Sequence, residues 1–174
     1  MKLTLKILAV LLTLGAQLKA QESPMAVKTK IDKLSSLVGT WEGTGWYQQG
    51  PDKRYEIRQT ENVESKLNGT LLLVEGRGFV NDSLAFNAMA FFSYNPYKKQ
   101  YVIESHLMDG KATVATGSFR ENGSFEWGFT FPNNQGQIRY IITFDENNWH
   151  ESGEYSRDGN QWFKTFEMNL TKKD

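Results

Sequence analysis

The stretch that decides the fold is Val38-Gly39-Thr40-Trp41-Glu42-Gly43-Thr44-Gly45, because the spacing of the hydrophobic residues changes at its start. Before this stretch, Ile31, Leu34 and Leu37 follow one another at every third position, which predicts about two turns of helix. From Val38 onward the pattern has a period of two, as in a strand with one buried face. We therefore predict a short N-terminal helix followed by β-structure.

Strand-like runs continue to the end of the chain, and most of the gaps between them carry turn residues. Asn-Gly or Asp-Gly pairs begin at Asn68, Asp109, Asn122 and Asp158, and such pairs readily adopt the positive φ angles of tight hairpins. No stretch long enough for a crossover helix separates the runs, so parallel pairing is not available. The runs span residues 39–48, 53–66, 70–79, 86–94, 100–107, 111–120, 124–132, 136–145, 148–156 and 160–171.

Hairpin connections between all ten runs predict how the sheet is arranged. A flat meander would expose two edge strands, and closure into a barrel removes both of them. We predict an all-β domain over residues 31–174, a ten-stranded antiparallel up-and-down β-barrel of the lipocalin-like kind, with a β-sandwich as the alternative. A barrel of this size holds a small ligand or is filled by side chains. An outer-membrane barrel needs strands with a continuous apolar face toward the lipid. The run 56–62 has no such face, which argues against this class of barrel.

The composition excludes several classes of function. The 174 residues include 20 Lys and Arg, 20 Asp and Glu, and no Cys. A net charge of zero argues against a general nucleic-acid binder. The absence of cysteine excludes disulfides, thiolate metal sites, a thiol nucleophile and the lipid attachment of a lipoprotein.

Residues 1–20 have the pattern of a signal peptide. Lys2 and Lys6 precede an apolar run over residues 7–16, and Ala20 provides a small residue before Gln21. This predicts export to the bacterial periplasm or the extracellular space, with no integral membrane segment after cleavage. The alternatives are an uncleaved anchor or a buried helix, but a bilayer span needs about 20 apolar residues. Residues 21–30 are polar, and we expect them to form a flexible N-terminal arm.

Two segments resemble known families. The stretch Leu37-Val38-Gly39-Thr40-Trp41-Glu42-Gly43-x-Gly45 resembles the first strand of nitrobindin-type barrels and of a large group of uncharacterised bacterial lipocalin-like proteins, all within the calycin superfamily. The segment Glu154-x-Ser156-x-Asp158-Gly159-x-x-Trp162, with Glu167, is similar to the second group. The resemblance implies that Trp41 closes one end of the barrel, and it implies structural roles for Gly39, Gly43 and Gly45. Glycines within a strand allow tight coiling or leave space in the lumen.

The resemblance also raises the question of haem. Nitrobindin-type relatives bind haem through a histidine near the C-terminal strand, but residues 162–170 contain none here. Strand alternation places both His106 and His150 on the outside of the barrel. We therefore expect no haem, no other cofactor and no metal site, although Met168 or a tyrosine could in principle ligate haem iron.

Placing Trp41 inward fixes the inward-facing residues of most strands by alternation. The candidate ligand-binding residues are Tyr47, Trp127, Phe129, Tyr140 and Ile142 as an apolar wall, with Gln59, Glu61 and Glu151 as polar anchors near one mouth. Lys164 has the same parity and could form an ion pair with Glu151. The sequence does not decide which face of the third run points into the barrel. The inward residues could be Leu71, Leu73 and Glu75, or Leu72, Val74 and Gly76. A packed aromatic core would explain the apolar residues but not the polar ones.

These features predict a protein that binds a small hydrophobic or amphipathic molecule in its lumen. An enzyme that uses the same lumen, an isomerase or a hydrolase, is one alternative, and Glu61 with Glu75 could form its carboxylate pair. A filled barrel that serves as a protein-interaction module is the other. The sequence contains no nucleophile motif, phosphate-binding loop or dinucleotide fingerprint.

Overall fold

A computed structural model describes residues 23–50 and 52–173. The predicted signal peptide lies outside these residues. Helix α1 (Pro24–Ile31) begins after Ser23, whose side-chain oxygen accepts a hydrogen bond from the backbone N–H of Ala26. A 3₁₀ helix (Asp32–Leu37) continues it. The expected flexible arm is therefore helical from Pro24 onward, because the Ser23 cap, the Lys28–Asp32 ion pair at 2.7 Å and the burial of Ile31 stabilise the helix.

Ten strands follow, and each pairs antiparallel with its neighbours in sequence. They are β1 (Gly39–Gln48), β2 (Arg54–Lys66), β3 (Leu71–Val80), β4 (Ser83–Asn95), β5 (Gln100–Leu107), β6 (Ala112–Phe119), β7 (Phe125–Thr130), β8 (Gln137–Phe144), β9 (Asn148–Ser156) and β10 (Phe163–Lys173). Pairing of β1 with β10, from Thr40 opposite Lys173 to Tyr47 opposite Phe166, closes the sheet into a barrel. The predicted fold class is confirmed, and the sandwich alternative is wrong.

The N-terminal helices close one end of the barrel, which we call the floor. Leu34 and Leu37 are fully buried there, and the Trp41 indole N–H donates a hydrogen bond of 2.7 Å to the Leu37 carbonyl oxygen. Trp149 meets the Trp41 ring edge-on at 5.8 Å. The Tyr101 hydroxyl donates a hydrogen bond of 2.8 Å to the Lys30 carbonyl oxygen and ties the helix to β5. The loops after β1, β3, β5, β7 and β9 surround the opposite end, which we call the mouth.

The glycines of β1 allow its backbone to approach β10 closely. A Cβ atom on Gly43 would lie 2.0 Å from the Asn169 carbonyl oxygen, and one on Gly45 would lie 2.5 Å from the Glu167 carbonyl oxygen. The expectation that Gly43 and Gly45 leave space in the lumen is therefore wrong, and tight coiling explains them. Gly39 has a φ of +135°, a conformation that side chains rarely adopt.

A bulge in β10 reverses the predicted orientation of its first residues. The register with β9 shifts between Lys164 and Phe166, and one extra residue moves every preceding side chain to the opposite face. The Lys164 ammonium lies 2.9 Å from Glu167 on the outer face. The predicted ion pair between Lys164 and Glu151 is therefore wrong.

Candidate functional site

The barrel contains a cavity of about 1000 Å³ that opens at the mouth and is lined by residues from all ten strands. Seven of the eight candidate ligand-binding residues line it: Tyr47, Gln59, Glu61, Trp127, Phe129, Tyr140 and Glu151. The structure does not bring Ile142 to the cavity wall. This residue is fully buried opposite Phe125, in the core on the floor side of the cavity.

One side of the cavity is a wall of aromatic rings. Trp127 on β7 and Tyr140 on β8 are paired in register, and their rings stack at 4.3 Å with an angle of 17° between the planes. Phe166 meets Tyr140 edge-on at 6.1 Å, and Phe92 meets Trp127 at 6.3 Å. The ring of Tyr140 lies over Gly153, where an added Cβ atom would be 2.8 Å from it. These rings offer a flat apolar surface to a ligand.

Two polar side chains on β2 lie against glycines of β3. Gln59 pairs with Gly78 and Glu61 with Gly76 in the strand register. A Cβ atom on Gly76 would be 2.6 Å from Glu61 Oε1, and one on Gly78 would be 2.9 Å from Gln59 Oε1. The two glycines therefore provide the space that these long side chains occupy. Sequence reasoning missed their role, although the spacing Gly76-x-Gly78 opposite two polar residues was the available signal.

Glu61 is linked to its neighbour on the same strand. The Gln59 side-chain amide donates a hydrogen bond of 2.7 Å to Glu61 Oε1, and only 2% of Gln59 and 7% of Glu61 are exposed. The other polar atom of the amide, Gln59 Oε1, is buried and has no hydrogen-bond partner within the described part of the chain. Gln59 therefore retains an unused acceptor at the cavity wall.

Glu151 on β9 is the second buried carboxyl group, with 6% of the residue exposed. The indole N–H groups of Trp127 and Trp149 favour its ionised form, but neither N–H is in hydrogen-bonding geometry with an acceptor. Sequence reasoning did not single out Trp149 and missed its position beside Glu151. Alternation on β9 does place both side chains inward and was the available signal.

Burial controls the ionisation of both carboxyl groups. It raises the pKa of Glu61 to about 8, with a further contribution from the charge of Glu151, while the hydrogen bond from Gln59 opposes the rise. Burial also raises the pKa of Glu151 to about 7. Near neutral pH each group can therefore gain or lose a proton in response to a bound molecule.

The polar residues lie deep in the barrel, whereas we expected them near one mouth. Glu61 is opposite Trp41, and Glu151 is two residues along β9 from Trp149, so both are close to the floor. The depth of each side chain depends on which residue of its strand lies at the floor. Alternation specifies only whether a side chain faces inward or outward. The basic residue that lines the cavity is Lys111, an exposed side chain at the mouth.

The cavity also extends sideways near the mouth. The pairing between β6 and β7 stops at Thr116 and Gly128, although β6 begins at Ala112 and β7 runs on to Thr130. Val114 and Phe129 line the cavity beside this unpaired part of the wall. A ligand therefore has a broad opening on this side of the barrel.

The carboxylate pair proposed from the sequence does not form. Leu72, Val74, Gly76 and Gly78 are the buried set on β3, so Glu75 faces outward, where it lies 2.7 Å from Arg77. The expectation that Glu61 and Glu75 share a site is wrong. The carboxyl group that shares the lumen with Glu61 belongs to Glu151.

The arrangement of the histidines does not fit haem with an axial imidazole. His106 is exposed, and His150 Nε2 lies 3.0 Å from Glu167 on the outer face. Neither histidine lines the cavity. Within residues 23–50 and 52–173, no group of three or more His, Asp or Glu side chains is arranged to hold a metal ion. The absence of a haem or metal cofactor remains a prediction.

Two solved structures share the fold at low sequence identity. The crystal structure of Rv2717c from M. tuberculosis superimposes with a TM-score of 0.65 at 12% identity, covering 83% of this chain and 97% of that chain. The S-type phycobiliprotein lyase CPES from Guillardia theta gives a TM-score of 0.58 at 9% identity, covering 85% of this chain and 92% of that chain. At these identities the likeness concerns the fold alone.

No curated protein matches the chain. None of the helices in the described residues is long and apolar enough to cross a membrane. One family model, described as protein of unknown function (DUF1579), matches residues 28–172. That range covers the second half of α1, the 3₁₀ helix and all but the last residue of the barrel strands, so the chain belongs to the DUF1579 family.

Proposed function

We propose that this protein binds a small amphipathic molecule in the lumen of its barrel. The observation that carries the proposal is the cavity of about 1000 Å³, which combines an aromatic wall with buried polar side chains at its inner end. Ligand pockets are commonly concave, mostly apolar and supplied with a few polar groups that fix orientation. The stacked Trp127 and Tyr140 rings would hold the apolar body of the ligand, and Gln59, Glu61 and Glu151 would hold its polar end.

The volume argues against a barrel filled by its own side chains. The packed core of Leu34, Leu37, Trp41 and Phe125 is on the floor side, and the space above it is open to the mouth. Protein interiors close such space when nothing has to enter it, because each void forfeits packing contacts. An interaction module would not need this cavity.

The second candidate is an enzyme that acts on a ligand in the same cavity. It is favoured by the two carboxyl groups whose pKa values are raised to about 8 and about 7, since general acid–base catalysis needs groups that titrate near neutral pH. The two candidates differ in one observable. A binding protein returns its ligand unchanged, whereas an enzyme converts it and loses this activity in Glu61→Gln or Glu151→Gln.

Two measurements on the purified protein test the binding proposal. Native mass spectrometry of freshly purified protein should show a mass above that of the chain, which disappears after organic extraction. Nile red, a neutral dye that fluoresces in apolar surroundings, should bind the extracted protein with a Kd of roughly 1 μM, worth about 8 kcal/mol. Absence of both signals would contradict the proposal.

We also propose that the protein is exported, from the basic residues and the short apolar run of residues 1–20. Protein from its native host should begin at Gln21, within a residue or two. N-terminal sequencing that finds Met1 intact would contradict this proposal.

A further inference from the structure

The inner end of the cavity is rich in hydrogen-bond acceptors, and no basic side chain among residues 23–50 and 52–173 lines it. The titratable residues that line the cavity are Tyr47 on β1, Glu61 on β2, Lys111 before β6, Tyr140 on β8 and Glu151 on β9. The lining residues of β3, β4, β5, β7 and β10 are not titratable. Lys111 is exposed at the mouth, while both carboxyl groups lie near the floor.

A bound molecule would meet unused acceptors at this inner end. Gln59 Oε1 is buried without a hydrogen-bond partner, and the Glu61 oxygen that Gln59 contacts is Oε1, which leaves Oε2. The indole N–H donors of Trp127 and Trp149 favour the ionised form of Glu151, but among the described residues neither has an acceptor in hydrogen-bonding geometry. A polar end that donates hydrogen bonds would satisfy the acceptors on Gln59 and Glu61.

The charge of the two carboxyl groups and the aromatic rings of the cavity also favour a cationic ligand that donates hydrogen bonds. A buried carboxylate without a cationic partner is costly, and a positive group between Glu61 and Glu151 would offset part of that cost. The stacked Trp127 and Tyr140 rings offer faces to a cation within the same lumen. A carboxylate ligand, by contrast, would bring a third negative charge next to two carboxyl groups.

We propose that the ligand is an amphipathic organic cation, whose protonated amine lies between Glu61 and Glu151 and whose apolar body lies against Trp127 and Tyr140. This inference rests on the proposed function, because it names the ligand class of the same cavity. The raised pKa values of Glu61 and Glu151, about 8 and about 7, add a pH dependence. The affinity for the cation should rise with pH as these two groups ionise.

The test uses three competitors of equal chain length against bound Nile red: decylammonium, decanol and decanoate. At about pH 8, decylammonium should displace the dye at a concentration at least about tenfold lower than decanoate, with decanol between them. Between about pH 6 and about pH 9 the apparent affinity for decylammonium should increase, and that for decanol should stay constant.

Variants assign the preference to the two carboxyl groups. Glu61→Gln and Glu151→Gln, made separately, should each weaken decylammonium binding about tenfold at about pH 9, relative to decanol binding by the same variant. Glu64→Gln is the control, because Glu64 is on the same strand as Glu61 but exposed on the outer face. Circular dichroism shows whether each variant is folded.

The possible outcomes separate this inference from the proposed function. If Nile red binds but decanoate competes as well as or better than decylammonium, the inference is wrong and the binding function stands. If the preference for decylammonium persists in both Gln variants, these carboxyl groups do not select the ligand and the inference is wrong. If the wild-type protein binds neither the dye nor a competitor, both proposals fail.

Discussion

The Glu61 carboxylate lies directly over Gly76 on the neighbouring strand, so close that a Cβ atom on Gly76 would be 2.6 Å from Oε1 and 2.8 Å from Oε2. Gly76 is 15 residues away in sequence, and the β2–β3 register brings the two residues opposite each other. The buried carboxyl group at the inner end of the cavity therefore depends on the absence of a side chain at position 76.

Gly76→Ala should destabilise the protein by about 1–3 kcal/mol, because the added methyl group displaces the Glu61 carboxyl group from its place. The same change in a Glu61→Ala background should cost less than half as much. Chemical denaturation of the four proteins measures this coupling as a double-mutant cycle. Equal costs in the two backgrounds would show that Glu61 does not occupy the space over Gly76.

The stability of the protein should fall between about pH 5 and about pH 9. The pKa of Glu61 is 4.5 when unperturbed and about 8 when folded, so over this interval the unfolded chain loses a proton that the folded chain keeps. Stability is therefore greatest at the low end of the interval and lower by up to about 4 kcal/mol once the folded group ionises.

Glu61→Gln should remove the contribution of Glu61 to this pH dependence and leave the smaller contribution of Glu151, whose pKa is raised to about 7, as measured by denaturant melts across the interval. The interval starts above pH 4.5 because Glu167 has the opposite behaviour. Its hydrogen bonds with His150 and Lys164 lower its pKa to about 2, so the stability it contributes is lost as the pH falls below 4.5. A wild-type protein whose stability is constant from about pH 5 to about pH 9 would contradict the burial of an ionisable Glu61.

Trp41→Ala should cost about 3–5 kcal/mol, the range for removing a large side chain from a packed core. Trp41 is fully buried, contacts the Trp149 ring and donates a hydrogen bond to Leu37. Trp46→Ala is the matched control, because Trp46 is on the same strand but faces outward, with its ring under the Arg54 guanidinium at 3.9 Å. Its loss should cost about 1 kcal/mol. Denaturant melts that give equal losses would contradict the assignment of Trp41 to the floor.

Haem added to the protein should not acquire an axial histidine. His106 and His150 are on the outer face, and His150 is paired with Glu167. A titration followed by absorption should therefore show no Soret band that His106→Ala or His150→Ala abolishes. A strong band that either substitution removes would restore the function implied by the resemblance to nitrobindin-type barrels.

Alternation and turn chemistry were sufficient to predict the fold. The Asn-Gly and Asp-Gly pairs mark hairpin turns, and the period of two from Val38 onward places Trp41, Glu61 and Trp127 on the inner face. These signals are local, so one sequence contains them. The closure of β1 on β10 followed from the cost of two open edges.

Features that depend on two distant strands could not be predicted in the same way. The bulge before Phe166 moved Lys164 to the outer face, and no residue type at that site signals an extra position. The roles of Gly43 and Gly45 depend on the backbone of β10. The depth of Glu61 depends on the β1–β2 register, which places it opposite Trp41 near the floor.

The central claim is that the cavity itself takes up the ligand, and a side chain that fills the cavity tests this claim. Gly45→Leu is unsuitable, because its Cβ atom would be 2.5 Å from the Glu167 carbonyl oxygen of β10. Ala88 on β4 lines the cavity opposite Gly76, so Ala88→Trp adds a large ring inside the lumen. Met89 is the next residue, 41% exposed on the outer face, and Met89→Trp adds the same ring outside.

The most direct measurement is Nile red binding to the wild-type protein, Ala88→Trp and Met89→Trp, with circular dichroism to show that all three are folded. The account predicts that the wild-type protein and Met89→Trp bind the dye with the same affinity, near 1 μM, and that Ala88→Trp binds it at least about tenfold more weakly. Equal binding by all three folded proteins would place the dye on the outer surface and contradict ligand uptake by the barrel.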